Sequence, residues 1–193
     1  MRFLTLLMIS YITGCSANSE QPSNHCLDRE WKAIGLKNVT ETQKQFDLEN
    51  DSDVHGGKYS CSGYTTPSEL NTFLIKLKTS LAADNTGALE ELMYFPLVII
   101  HERKEAGSKP KASVVRKKED FNSILGDVFN PLARKVVECM SLSNMATDPM
   151  AGIDAAYGGI IIKRFTESRQ LYITSISKDK LPMNKWLEKN CTE

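Results

Sequence analysis

By residue type, the parts of this chain best suited to chemistry are Cys26, Cys61, Cys139 and Cys191, together with His25, His55 and His101. Their spacing decides which chemistry to expect. No two of these cysteines stand within the short separation of a zinc-binding pair, and the histidines are scattered, so no metal site is expected. An even number of cysteines in an exported chain argues instead for disulfides. Three pairings are open. Order along the chain favours Cys26–Cys61 with Cys139–Cys191, each contributing about 4 kcal/mol in the chain-entropy picture. The sequence holds no glycine-rich phosphate loop, no serine nucleophile elbow and no paired histidines at helical spacing, so no cofactor is expected. A basic run from Lys109 to Lys118 includes Lys111, Arg116 and Lys117, with Glu119 and Asp120 directly after it. It reads either as a solvated strand edge and helix start or as a patch for an anion or partner.

The disulfide argument requires export, and the chain opens with a matching signal. Met1-Arg2 supplies a short basic start. The apolar run Phe3–Ile9 continues to Ile12 and ends in small residues, the pattern of a signal peptide over residues 1–14. About a dozen apolar residues are too few for a permanent span. The ending Ile12-Thr13-Gly14-Cys15 resembles the bacterial lipobox. That resemblance implies that Cys15 receives diacylglycerol and an N-linked palmitate-type chain, giving attachment to the membrane by lipid. Ser16, where an aspartate would favour the inner membrane, implies an outer-membrane location facing the periplasm. Residues 15–25 then form a lipidated, polar tether.

Past the signal, the chain has the length of one ordinary domain with a small extension. Hydrophobic residues make up 41% and charged residues 25%, as in a folded domain. Lysine plus arginine and aspartate plus glutamate both total 24, which gives no electrostatic case for nucleic acid. Residues 26–66 are polar, with Trp31, Ile34, Val39 and Phe46 among few large apolar groups. This stretch reads as a small N-terminal subdomain stapled by Cys26–Cys61. Thr66-Pro67-Ser68-Glu69 is a capping box with proline at the first helical position. Leu70, Phe73, Leu74, Leu77 and Leu81 then mark one helix face. A short helix is expected to carry Leu89, Leu92 and Met93. A strand follows over Leu97–Ile100 and another over Ala112–Val115. Two further helices are expected, one bearing Phe121 to Phe129 and one from Pro131 to Cys139. Ile153–Phe165 reads as β-structure joined by a hairpin at Thr166–Arg169 to a strand over Leu171–Ile176, and Pro182–Lys189 as a closing helix.

This order of elements is an α+β plan. With Ala82-Ala83-Asp84, Tyr94-Phe95-Pro96-Leu97, Lys118-Glu119-Asp120-Phe121, Phe129-Asn130-Pro131 and Gly158-Gly159, it resembles the nuclear transport factor 2-like (ketosteroid-isomerase-like) superfamily. The resemblance implies N-terminal helices packed in a strongly curved antiparallel sheet, a cone, over residues 67–193. Enzymes of that fold set a carboxylate or histidine beside a tyrosine inside the cone. Asp154 and Tyr157 are the candidates here, as base and oxyanion donor, with Tyr94, Tyr172 and His101 nearby in sequence. Three residues apart on one regular strand, however, Asp154 and Tyr157 point to opposite faces. The fold also hosts non-enzymes. The first expectation is therefore a non-enzymatic envelope lipoprotein that binds a protein partner or a small apolar ligand, for example as an immunity or inhibitor protein. The alternative is an isomerase- or dehydratase-type enzyme acting on a small apolar substrate.

Overall fold

The computed structural model describes residues 25–51, 57–103 and 108–191. The signal peptide, Cys15 and His55 lie outside the described residues. Among those described, α-helices, a 3₁₀ turn and a six-stranded sheet give an α+β architecture. No described helix is long and apolar enough to cross a membrane.

The opening segment folds as α1 (His25–Ile34), a 3₁₀ turn (Leu36–Asn38), α2 (Glu41–Asn50) and the single turn α3 (Tyr59–Ser62). Thr40 caps α2 reciprocally with Gln43. Leu27, Trp31 and Val39, with Ile34 against them, form an apolar cluster separate from the main one. So small a cluster cannot hold three helices alone, and polar contacts supply the rest. The Trp31 indole donates to the fully buried Asp47 carboxylate at 2.8 Å, and that carboxylate also accepts from the Ser68 amide at 2.7 Å. Cys26 and Cys61 are bridged, their Cα atoms 5.1 Å apart. Tyr59 joins the main core and donates its hydroxyl to the Leu142 carbonyl at 2.5 Å.

Helix α4 (Pro67–Ala82) starts at the expected box, with Thr66 and Glu69 capping each other's backbone. Leu70, Phe73, Leu74, Leu77 and Leu81 are buried along one face. Next come α5 (Thr86–Glu90), strand β1 (Met93–Ile100), β2 (Ala112–Val115), α6 (Lys118–Val128) and α7 (Pro131–Cys139). β3 (Ala146–Asp148), β4 (Gly152–Ala155), β5 (Ile160–Arg164), β6 (Leu171–Ser177) and α8 (Lys180–Asn190) complete the order. A second bridge, Cys139–Cys191, ties the end of α7 to the residue after α8. The pairing favoured by chain order is thus the one observed.

The strands are ordered β2-β1-β6-β5-β4-β3. One face carries Leu97, Ile99, Ile153, Ile160, Ile162 and Ile173, all buried in a single cluster with the helix residues Leu70, Leu77, Phe121 and Val136. Three expectations need correction. The sheet is mixed, not antiparallel: β1 runs parallel to β6, because the chain crosses back through α6 and α7 before the final meander. β1 begins at Met93 rather than Leu97. Pro96, which has no N–H, sits where the β1–β6 register shifts between Met93 and Val98, a place that does not need its donor. The Ile153–Phe165 stretch is two strands, since Ala156, Tyr157 and Gly158 all take positive φ and turn the chain back.

Candidate functional site

The end of the sheet where β1 and β6 begin and β2 and β5 finish opens into a groove of about 970 Å³. Leu92, Met93 and Phe73 form its buried floor. The α1–α2 segment supplies one wall through Ile34, Val39 and Gln43. Tyr94 and Tyr172 supply another, with Phe165 packed against them. Tyr94 stacks on Phe165 with ring centroids 3.8 Å apart, and Tyr172 meets both edge-on at 5.9 Å. These rings are grouped because parallel pairing sets the start of β1 beside the start of β6, and the β5–β6 hairpin returns Phe165 to the same place.

Charge around this groove is not balanced locally. Lys76 pairs with Glu91 at 3.1 Å. Glu69 is held by Arg164 through two hydrogen bonds of 2.7 and 2.8 Å. Arg116, Lys117, Lys118 and Arg169 also line the groove, and among the described residues none of them is in an ion pair. Among the described residues, Glu119 is the one lining carboxylate outside such a pair. The arrangement can hold a flat or apolar group on the rings and floor while cations at the rim attract negative charge.

Asp154 and Tyr157 are elsewhere. Both border a smaller cleft of about 260 Å³, formed with Asn144, Met145, Trp186 and Lys189. They share it because Tyr157 is not on a strand: it sits in the β4–β5 turn at φ 54° and is about half exposed. The Asp154 carboxylate accepts the Gly158 N–H at 2.6 Å and so closes that turn. Burial pushes its carboxyl above the usual aspartate range, an effect the Gly158 bond opposes. Of the other sequence candidates, Tyr94 and Tyr172 line the large groove. His101 lies on the β1–β2 hairpin, its Nε2 2.7 Å from Ser113 Oγ. The structure therefore joins Tyr94 to Tyr172 and Asp154 to Tyr157, but brings neither pair to the other. No cluster suited to a metal ion occurs among the described residues.

The Asp154 environment makes a pH prediction. A carboxyl that binds its proton more tightly when folded costs stability as it ionises. Folding stability should therefore fall as pH rises from the ordinary aspartate range through the elevated folded value. Asp154→Asn keeps an oxygen for the Gly158 amide and removes that ionisation. Urea midpoints measured across this interval should fall for the wild type and stay flatter for the variant. Parallel curves would show that Asp154 is not the group responsible.

Sequence reasoning picked out the basic run but missed Arg169, Gln43 and Val39 as groove residues. The only local signal at Arg169 was turn chemistry, and a turn does not state which cavity it borders. No family model matches the chain, and neither a curated protein nor a solved structure matches it.

Proposed function

We propose that this protein is a non-catalytic binding module of the bacterial cell envelope, held at the outer membrane by lipid on Cys15 and folded as a nuclear transport factor 2-like cone behind its N-terminal segment. An immunity or inhibitor role towards an envelope protein is one concrete form of this reading. The observation that carries it is the groove: an apolar floor and stacked rings beside four cations that have no ion-pair partner among the described residues. The apolar start ending at Cys15 and the two bridges support the compartment. The groove volume lies at the upper end of the roughly 300–1,000 Å³ of ligand sites.

The enzyme alternative draws on one observation, that Asp154 and Tyr157 share a cleft. Against it, the carboxylate is already engaged by Gly158, and the cleft is smaller than ligand sites of about 300 Å³ and above.

A photo-crosslinking residue at Thr72, exposed in the groove on α4, tests the proposal in the intact envelope. The control is Ile75 on the same helix, 57% exposed and outside the groove lining. A discrete adduct from Thr72, absent from Ile75, is the expected result. Equal patterns from both would overturn the groove reading, and an unacylated N-terminus by mass spectrometry would overturn the anchor.

A further inference from the structure

Strand β2 ends the sheet, and every residue from Lys109 to Asp120 is exposed except Val115. Among the described residues its one neighbouring strand is β1, paired through Leu97–Val115 to Ile100–Ala112. Among the described residues nothing covers its other edge, so that side presents unpaired backbone donors and acceptors. Ala112 and Val114 lie on one face of the strand, and Val114 is 47% exposed. Lys109 and Lys111 precede the strand. Arg116, Lys117 and Lys118 follow it, and these last three also line the groove. None of the five is in an ion pair among the described residues. The nearby acids in sequence are Glu119 and Asp120, both in the first turn of α6, and Glu102 and Glu105 before Lys109, of which Glu102 is held by Lys180 at 3.4 Å.

Cations at both ends of an open edge repel a second copy of that edge, which brings the same charges. They repel a basic strand equally. A strand with acidic ends meets attraction instead, and a β-branched centre would lie beside Ala112 and Val114. A small anion would use the cations but leave the edge amides to water. An extended protein segment uses both, and after passing Arg116 it enters the ring-lined groove.

Resting on the binding-module reading, we propose that β2 and the adjoining cationic corner take an extended, acid-ended segment of a partner protein by strand addition. The probe is a short labelled peptide with a valine–threonine centre and glutamates at both ends, titrated into the intact protein by fluorescence anisotropy. Its affinity should fall about tenfold between roughly 0.02 and 0.2 M salt, as expected for contacts between exposed charges. Lys111→Glu with Arg116→Glu should weaken it at least about tenfold, and Lys111→Gln should do so less. These side chains are exposed, and an unchanged urea midpoint would confirm that the variants fold. Amide exchange at Ala112 and Val114, whose N–H groups face away from β1, should slow at least about tenfold at saturation. The same peptide with lysines for glutamates should not bind.

Absence of binding would overturn the proposal. So would binding that leaves the β2 amides unprotected, or equal binding by a peptide N-methylated at alternate residues, since each would place the contact on side chains. Self-association through β2 in sedimentation would assign the edge to a second copy and refute it as well. A Thr72 adduct without peptide binding would leave the groove reading standing while strand addition falls.

Discussion

Arg164→Met should destabilise the fold by about 3 kcal/mol, the usual cost of removing one partner from a buried ion pair. Its side chain is only 7% exposed. It donates to both Glu69 oxygens, to the Tyr64 carbonyl at 3.0 Å and, at 3.4 Å, to Glu30. Glu30 keeps a second partner in Arg29 at 2.7 Å, whereas Glu69 has no other cation among the described residues. The loss should therefore fall mainly on Glu69. Glu69→Gln added to Arg164→Met removes the stranded charge and preserves an oxygen for the Thr66 amide, so the cap of α4 survives. The double variant should recover about 1 kcal/mol or more relative to Arg164→Met alone. Urea unfolding of the four members of this cycle measures it. Additive losses would show that Glu69 and Arg164 do not depend on each other, and would place the role of Arg164 in its Tyr64 and Glu30 contacts. Because Arg164 is on β5, Glu69 on α4 and Glu30 on α1, proteolysis within α1 should also accelerate in Arg164→Met.

That arginine also marks the limit of what the sequence could disclose. Helices α4 and α7 were legible because their start signals are local, a capping box in one and an asparagine followed by proline in the other, and α6 because the apolar residues from Phe121 to Phe129 recur at helical spacing. The cysteine pairing followed from order along the chain. Long-range geometry was not legible. Nothing near Arg164 in sequence announces carboxylates 95 and 134 residues away. The parallel β1–β6 pair depends on the path of the whole crossover, so local alternation suggested only hairpins. Strand β3, three residues long, falls below the length at which alternation can be read. The Asp154–Tyr157 offset was reasoned for a regular strand, and three successive positive φ values turned that strand into a hairpin. The groove combines all these failures. Its floor is visible as core, its basic corner as a charge run, and its rings come together only through the register.

Removing the Cys139–Cys191 bridge by paired serine substitution should lower global stability by about 4 kcal/mol, since the closed loop is long and chain-entropy cost grows only with the logarithm of length. The separations are 52 residues here and 35 for Cys26–Cys61, so the same reasoning predicts nearly equal costs. Their location distinguishes them. Cys139 and Cys191 tie α7 to α8, and α8 buries Met183 and Trp186 in the main core, with the Trp186 indole donating to the Asn144 carbonyl at 3.3 Å. Helix α8 cannot leave without opening that core, so its amides should exchange at the global rate in both wild type and variant, with the urea midpoint lowered. Cys26 instead anchors α1, whose cluster of Leu27, Trp31 and Val39 stands apart from the main one. Losing that bridge should mostly free a local unit: exchange should rise in α1 and α2 well before α4 or the sheet, with a smaller change in midpoint. Hydrogen exchange by mass spectrometry on the two double-serine variants separates these outcomes. If α1 and the sheet lose protection together when Cys26–Cys61 is removed, the opening helices are part of the same cooperative unit, and the groove wall they build is as rigid as its floor.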